Sequence, residues 1–346
     1  MQPTSVSSPA PRRPWSFWLA LFLALALTGS VLLNILLGLA ALGNNLDPGI
    51  RARFDETLLD GEHYAREKVV VLPIQGVIME EGDGPGSLRS VSRIRSMLHA
   101  VRQDKSVKAV VLDIDSPGGG VTASDQIYHE LSRFRQETEI PIVALFGDVA
   151  ASGGYYVAMA ADEILAHTTT ITGSIGVISQ IPQVRNLMDK IGVEILTIKS
   201  LDEKGQPSFK DMGSPFREMR PEERKILQGL VTQMWERFVQ VVAEGRKGHL
   251  KPTQVRALAD GRIFTGKQAL DLKLIDALGY QEDAFRRARE LGNAPQAKVV
   301  RLQHRETLLD LLGGAGFSTG KWSTPLRVLE RATLQGPRMM YLWSGS

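Results

Sequence analysis

Lys108-Ala109-Val110-Val111-Leu112-Asp113-Ile114 runs directly into Asp115-Ser116-Pro117-Gly118-Gly119-Gly120. The first part is short, β-branched and almost continuously apolar, which is how a strand buried on both faces reads, and the Pro-Gly-Gly-Gly that follows forces the chain into a turn. Upstream, Ile94, Leu98 and Val101 recur at helical spacing, and Val69 to Ile74 reads as an earlier buried strand. Downstream come a helix over Thr122 to Phe134, a strand over Pro141 to Phe146, a helix of small residues over Ser152 to Ala161 and a short strand over Glu163 to Ala166. A helix near Val184 to Ile191 and a strand over Glu194 to Lys199 complete this part. Strands alternating with helices predict an α/β domain with a mostly parallel sheet.

Beyond it, a long amphipathic helix is expected from Pro221 to about Gly245, with Ile226, Leu230, Met234, Phe238 and Val241 on its packed face. The stretch Gly261 to Leu270 passes from a turn into a helix capped near Thr265. The pattern weakens from about Asn293, and residues 293–346 read as a tail without an assigned role.

At the other end, Trp15 to Gly43 has no charged residue, which exceeds the roughly 20 residues that cross a bilayer core. Arg12 and Arg13 precede it and Trp15 and Trp18 sit at an interface position, so the positive-inside rule puts residues 1–14 in the cytoplasm and the rest outside. A cleaved signal peptide is the competing reading, but its apolar core runs about 7–15 residues and this one is longer. Residues 44–67 read as a tether, with a short amphipathic helix around Phe54 to Tyr64.

Composition narrows the chemistry. The 346 residues contain no cysteine, which excludes disulfides, thiolate nucleophiles and cysteine-ligated metals. The six histidines form no metal-binding spacing, and a net charge of +3 without a basic stripe gives no footprint for nucleic acid. No cofactor or metal is expected.

Two glycine-rich turns remain, each after a strand. Gly118-Gly119-Gly120 can present backbone N–H groups to an anion or serve as a tight turn. In Ala150-Ala151-Ser152-Gly153-Gly154, Ser152 stands at a strand-to-helix junction, as a nucleophile or as an N-cap. A serine hydroxyl needs a base. His167 has no spacing that pairs it with Ser152, whereas a lysine desolvated from its usual pKa of about 10.4 can serve, with Lys190, Lys199, Lys204 and Lys210 as candidates.

In order, DIDSPGGGVTASDQIY, VASGGYYVAMAAD, TGSIGVI, FKDMGSPFREM and DGRIFTGKQAL resemble the blocks of the bacterial signal peptide peptidase A family, over roughly Lys68 to Leu291. The resemblance implies a Clp-protease/crotonase-like fold behind a transmembrane helix, with a protease domain over 68–292. It also implies a homo-oligomeric serine endopeptidase that hydrolyses cleaved signal peptides with a Ser/Lys dyad. Carried over by motif, Ser152 matches the nucleophile, Lys210 the general base, Ser174 a serine that hydrogen-bonds the lysine, and Gly119 and Gly153 the oxyanion-hole amides. The sequence departs from the family at Leu201 to Ser208, which intervenes before the lysine, and at Phe209, where tyrosine is usual; Lys199 is the alternative base. A crotonase-like acyl-CoA enzyme and a non-catalytic membrane scaffold are the rival readings.

Overall fold

The computed structural model describes residues 15–45, 54–80, 90–304 and 339–342. The chain divides into two units, residues 1–53 and 54–346.

In the first unit, α1 (Trp15–Asn45) is a single apolar helix. Its stretch Trp15–Ile35 is long and apolar enough to cross a membrane, with mean hydropathy 2.1. Two of its polar side chains are satisfied within the helix, where Thr28 Oγ1 donates to the Ala24 carbonyl and Asn34 Nδ2 to the Ser30 carbonyl at 2.8 Å. That economy matters wherever no water is available to replace a missing partner.

The second unit is built on a sheet. Its elements in chain order are β1 (Phe54–Asp60), β2 (Lys68–Gln75), α2 (Ser90–Gln103), β3 (Val107–Ser116), β4 (Gly118–Gly120), α3 (Val121–Thr138), β5 (Ile142–Ala151) and α4 (Gly153–Ala158). There follow β6 (Glu163–Ala166), β7 (Ile171–Gly173), β8 (Ile178–Ser179), α5 (Arg185–Ile191), α6 (Pro221–Gly245), α7 (Pro252–Leu258), β9 (Ile263–Thr265) and α8 (Gly266–Asp271). Last come β10 (Ala277–Leu278), α9 (Gln281–Leu291), β11 (Lys298–His304) and β12 (Met339–Leu342).

The main path of the sheet is β1-β11-β2-β3-β5-β6-β10, with β7 beside the far end of β5 and β9 beside β7. All pairs are parallel except β1 with β11 and β7 with β9. The expected α/β class with a mostly parallel sheet is therefore what the chain adopts.

The apolar run from Lys108 to Ile114 has a simple reason. Val110, Leu112 and Ile114 of β3 face a core shared with α2, α3, α4 and α6, while Ala109 and Val111 face a second core closed by α9. β2 and β5 divide in the same way, Leu72 and Phe146 to one side and Val71 and Leu145 to the other. A strand covered on both faces has no polar side to show.

Four expectations change. Residues Phe54–Asp60 form a strand paired with β11 rather than a tether helix, because Phe54 and Leu302 are drawn into the core at the sheet edge. Likewise β11 inserts in parallel beside β2, so the sheet extends into the stretch read as tail. The segment expected as a strand over Glu194 to Lys199 finds no ladder partner and stays irregular. On α6 the buried residues are Leu227, Phe238, Val239, Val241 and Val242, whereas Ile226 and Leu230 of the predicted face are exposed, since only the second half of the helix reaches the core.

Replacing the fully buried Leu112 by alanine should destabilise the domain by about 3 kcal/mol, because transfer and cavity costs add in a core that cannot collapse. Urea unfolding of the two proteins measures the difference.

Candidate active site

Strand β5 continues past its core residues into Val149-Ala150-Ala151, where it pairs in parallel with β7, and the chain then turns into α4. Ser152 is the turn residue. It occupies the N-cap position of α4 with φ 52° and ψ −114°, a conformation that costs a non-glycine residue of order 1–3 kcal/mol. Its backbone is fixed on both sides, the N–H donating to the Gly173 carbonyl and the carbonyl accepting from the Tyr156 N–H, each at 2.8 Å. Yet its side chain makes no capping hydrogen bond. The N-cap reading of Ser152 therefore does not hold, and the hydroxyl, in a residue only 1% exposed, is left over from the helix.

The two glycine-rich turns meet here. A Cβ on Gly153 would lie 2.5 Å from Ser124 Oγ and 3.1 Å from the Gly119 nitrogen, so α4 can begin against β4 only if residue 153 has no side chain. Gly119 is just as constrained, since a Cβ there would fall 1.9 Å from the Ile78 carbonyl oxygen. Ser116 braces the turn, its Oγ donating to the Gly76 carbonyl at 2.6 Å and accepting from the Gly118 N–H at 3.1 Å. As the first helical residue, Gly153 has an N–H without an intrahelical acceptor.

Ser174 follows the strand residue that Ser152 bonds: Ala151 pairs with Gly173, and the Ser152 N–H donates to the Gly173 carbonyl at 2.8 Å. Ser174 is also in positive φ (50°), is buried, and donates its N–H to the Arg262 carbonyl at 2.8 Å. A cavity of about 340 Å³ opens next to it, lined among others by Ile178, Thr232, Trp235 and Asp260.

The lysines divide sharply. Lys199 Nζ bonds Asp211 Oδ1 at 2.8 Å, and Asp211 is held in turn by Arg217 at 2.7 Å. Arg217 and Arg220 both bond the buried Glu223, at 2.5 and 2.7 Å. These arginine bonds hold Asp211 far below the usual carboxylate range and Glu223 at about 2, the hydrogen bond from Arg217 being the main cause in both. Lys210 is exposed and has no hydrogen-bond or ion-pair partner among the described residues. Among the described residues no hydrogen bond or ion pair joins it to Ser152.

The departure at Leu201 to Ser208 is a small hairpin. Leu201 bridges Pro207, Asp202 N–H donates to the Gln206 carbonyl at 2.8 Å, and Ser208 N–H returns to the Ser200 carbonyl at 3.0 Å. The extra residues loop out and close at their base, so Lys210 follows the Ser200 end much as it would without them. His167 stacks on Tyr280, with ring centroids 5.0 Å apart. Three contributors were missed by sequence reasoning: Ile78, Ser124 and β8. None carries a local signal, since their importance lies in what they touch across the chain.

Chemically, a hydroxyl on a strained turn that opens into a glycine packed against a second glycine-rich turn is an arrangement suited to acyl transfer. Comparison with known proteins agrees. The Peptidase family S49 profile matches residues 134–294. A protein of Enterococcus faecium named for signal peptide peptidase SppA is 37% identical over 256 residues, covering 73% of this chain and 71% of the relative. A chain of Methanocaldococcus jannaschii named as a protease is 32% identical over 292 residues, 83% of this chain and 87% of the relative. The chloroplast serine protease SPPA of Arabidopsis thaliana is 35% identical over 238 residues, 68% of this chain but 34% of that longer protein. The chain belongs to peptidase family S49, the serine peptidases of the signal peptide peptidase type. Membership favours a peptidase over the acyl-CoA and scaffold readings.

The Glu223 network sets a pH dependence. Because its carboxylate pKa is depressed from 4.5 to about 2, its stabilising effect is complete above pH 4.5 and fades as pH falls toward 2. Hydrogen exchange across residues 199–223 should rise over that window, and Glu223→Gln should show the faster exchange already at neutral pH.

Proposed function

We propose that this chain is a membrane-anchored serine endopeptidase that hydrolyses remnant signal peptides and other membrane-proximal peptides through Ser152 and Lys210. The observation that carries the reading is the Ser152 hydroxyl, placed on a strained turn, unused by the helix it opens and followed at once by Gly153, which packs against Gly119. Neutral Lys210 accepts the proton as Ser152 Oγ attacks the peptide carbonyl, and the two glycine N–H groups hold the oxyanion. Lys210 then protonates the leaving amine, and water hydrolyses the acyl-enzyme. Ser174, next to Ser152 across the β5/β7 pair, orients the lysine amine.

Lys210 reaches Ser152 from a neighbouring copy. Two observations support this. Lys210 is exposed and unpartnered within the described residues, and an apolar surface surrounds its segment, with Ile191, Leu196, Ile198, Leu201 and Phe209 all exposed. An exposed apolar patch of this kind marks an association surface. Lys199, tied to Asp211, is occupied in holding the segment. The anchor is α1, with residues 1–14 in the cytoplasm and the catalytic unit outside it.

Ser152→Ala and Lys210→Ala should each abolish cleavage of a peptide substrate while assembly is retained. Co-assembling the two variants should restore up to about a quarter of wild-type activity, since in a closed symmetric oligomer that fraction of sites draws an intact serine and an intact lysine from different copies. No recovery on mixing would place both groups in one chain, and wild-type turnover in either single variant would overturn the dyad.

A further inference from the structure

β5 reaches Ser152 through a bulge. Against β3, Phe146 pairs with Ile114 and Ala150 with Ser116, so Asp115 alone stands opposite Gly147, Asp148 and Val149. The bulge coincides with a change of partner on the other edge, where β5 leaves β6 at Phe146 opposite Ala166 and joins β7 at Val149 opposite Ile171. Gly147 and Asp148 thus fall outside both ladders. Backbone groups set free in this way need other partners, or the segment is soft.

Side chains supply those partners. Thr170 Oγ1 donates to the Gly147 carbonyl at 2.7 Å and accepts from the His167 N–H at 3.1 Å, which ties the bulge to the end of β6. Thr172 Oγ1 donates to the Ala150 carbonyl at 2.6 Å. Both threonines are buried. On the opposite edge, Asp115 Oδ1 accepts from the Val149 N–H at 3.1 Å. Gly147 permits this closeness, because a Cβ on it would lie 3.2 Å from the Asp115 Cβ. Ala150 is two residues before Ser152, whose own N–H is held by the carbonyl of Gly173, the residue after Thr172 in β7.

We propose that Thr172, Thr170 and Asp115 are positioning residues for Ser152: they clamp the bulge of β5 and so set where the Ser152 hydroxyl stands. The inference rests on the reading of Ser152 as the nucleophile. The three side chains act through the backbone of β5, not on substrate. A bulge re-aims the residues that follow it, and the new aim is only as firm as the bonds that tie the bulge down. Here the aim matters, because Ser152 sits at φ 52°, a conformation it keeps only while the residues before it are fixed. A displacement of about 1 Å at a reacting atom costs about a hundredfold in rate. Thr172 carries the larger share, since its hydroxyl bond is buried and the nearer of the two threonine bonds to Ser152, whereas the Asp115 bond is open to solvent.

Thr172→Val in the full-length protein keeps the shape and β-branching of the side chain but removes the donor, whereas Thr172→Ser keeps the donor. On a fluorogenic peptide, kcat should fall by about ten- to a hundredfold in Thr172→Val, with KM within about twofold of wild type, while Thr172→Ser retains most of the activity. At the solvent edge, where substitution cannot open the core, Asp115→Ala should lower kcat by about three- to tenfold. Asp115→Asn, whose amide oxygen still accepts the Val149 N–H, should restore it. A second readout needs no catalysis. Amide hydrogen exchange over residues 147–152 should quicken by about tenfold in Thr172→Val and stay near wild type in Thr172→Ser, with residues 109–114 of β3 unchanged in both. Wild-type kcat and exchange in Thr172→Val, or an equal loss in Thr172→Ser, would overturn the proposal. If no form turns over substrate but the exchange difference persists, the clamp stands and the catalytic reading of Ser152 fails.

Discussion

The structure depends on one close approach, that of the turn before α4 to the turn that ends β3. Gly153 comes so near Gly119 and Ser124 that any side chain would push them apart. Everything at the site follows from that contact. It brings the start of helix α4 against strand β4, and it holds Ser152 in a backbone conformation that a flexible loop would relax. The strain is tolerated because the sheet over-determines the position, with β3 and β7 flanking β5 and with hydrogen bonds on either side of Ser152.

The sheet in turn supplies the rigidity. Three central strands place alternate residues in two separate cores, so neither face can shift without opening one of them. The candidate site residues gather where β3 and β5 end, at the carboxyl ends of parallel strands, the usual place for ligands in open α/β sheets. Ser174 belongs to this arrangement through register alone, since β7 extends beside the last residues of β5 and not beside its core.

The segment from α5 to α6 is organised differently. It has little buried apolar surface, many exposed aliphatic residues, and a chain of charges running Lys199, Asp211, Arg217, Glu223 and Arg220. Such a segment is shaped by ion pairs rather than by a core, and it leaves Lys210 presented outward. That arrangement leaves the Lys210 side chain free of the ion pairs that hold its neighbours.

Sequence by itself determined the strands and helices of the central sheet, because an apolar run interrupted by glycine turns allows few alternatives, and it singled out Ser152, Gly119, Gly153, Ser174 and Lys210 through motifs whose order is specific. It could not determine the edges. Phe54–Asp60 reads equally well as a helix, and only its pairing with β11, about 240 residues later in the chain, makes it a strand. The same holds for the Ser152 side chain, whose lack of a capping bond at the N-cap position cannot be read from the sequence. The pairing of β12 with both β4 and β8 was equally hidden, since main-chain pairing leaves almost no trace in side-chain pattern. Local periodicity records what each residue is buried against, not which distant backbone completes it, and that second question is settled only when the chain has folded.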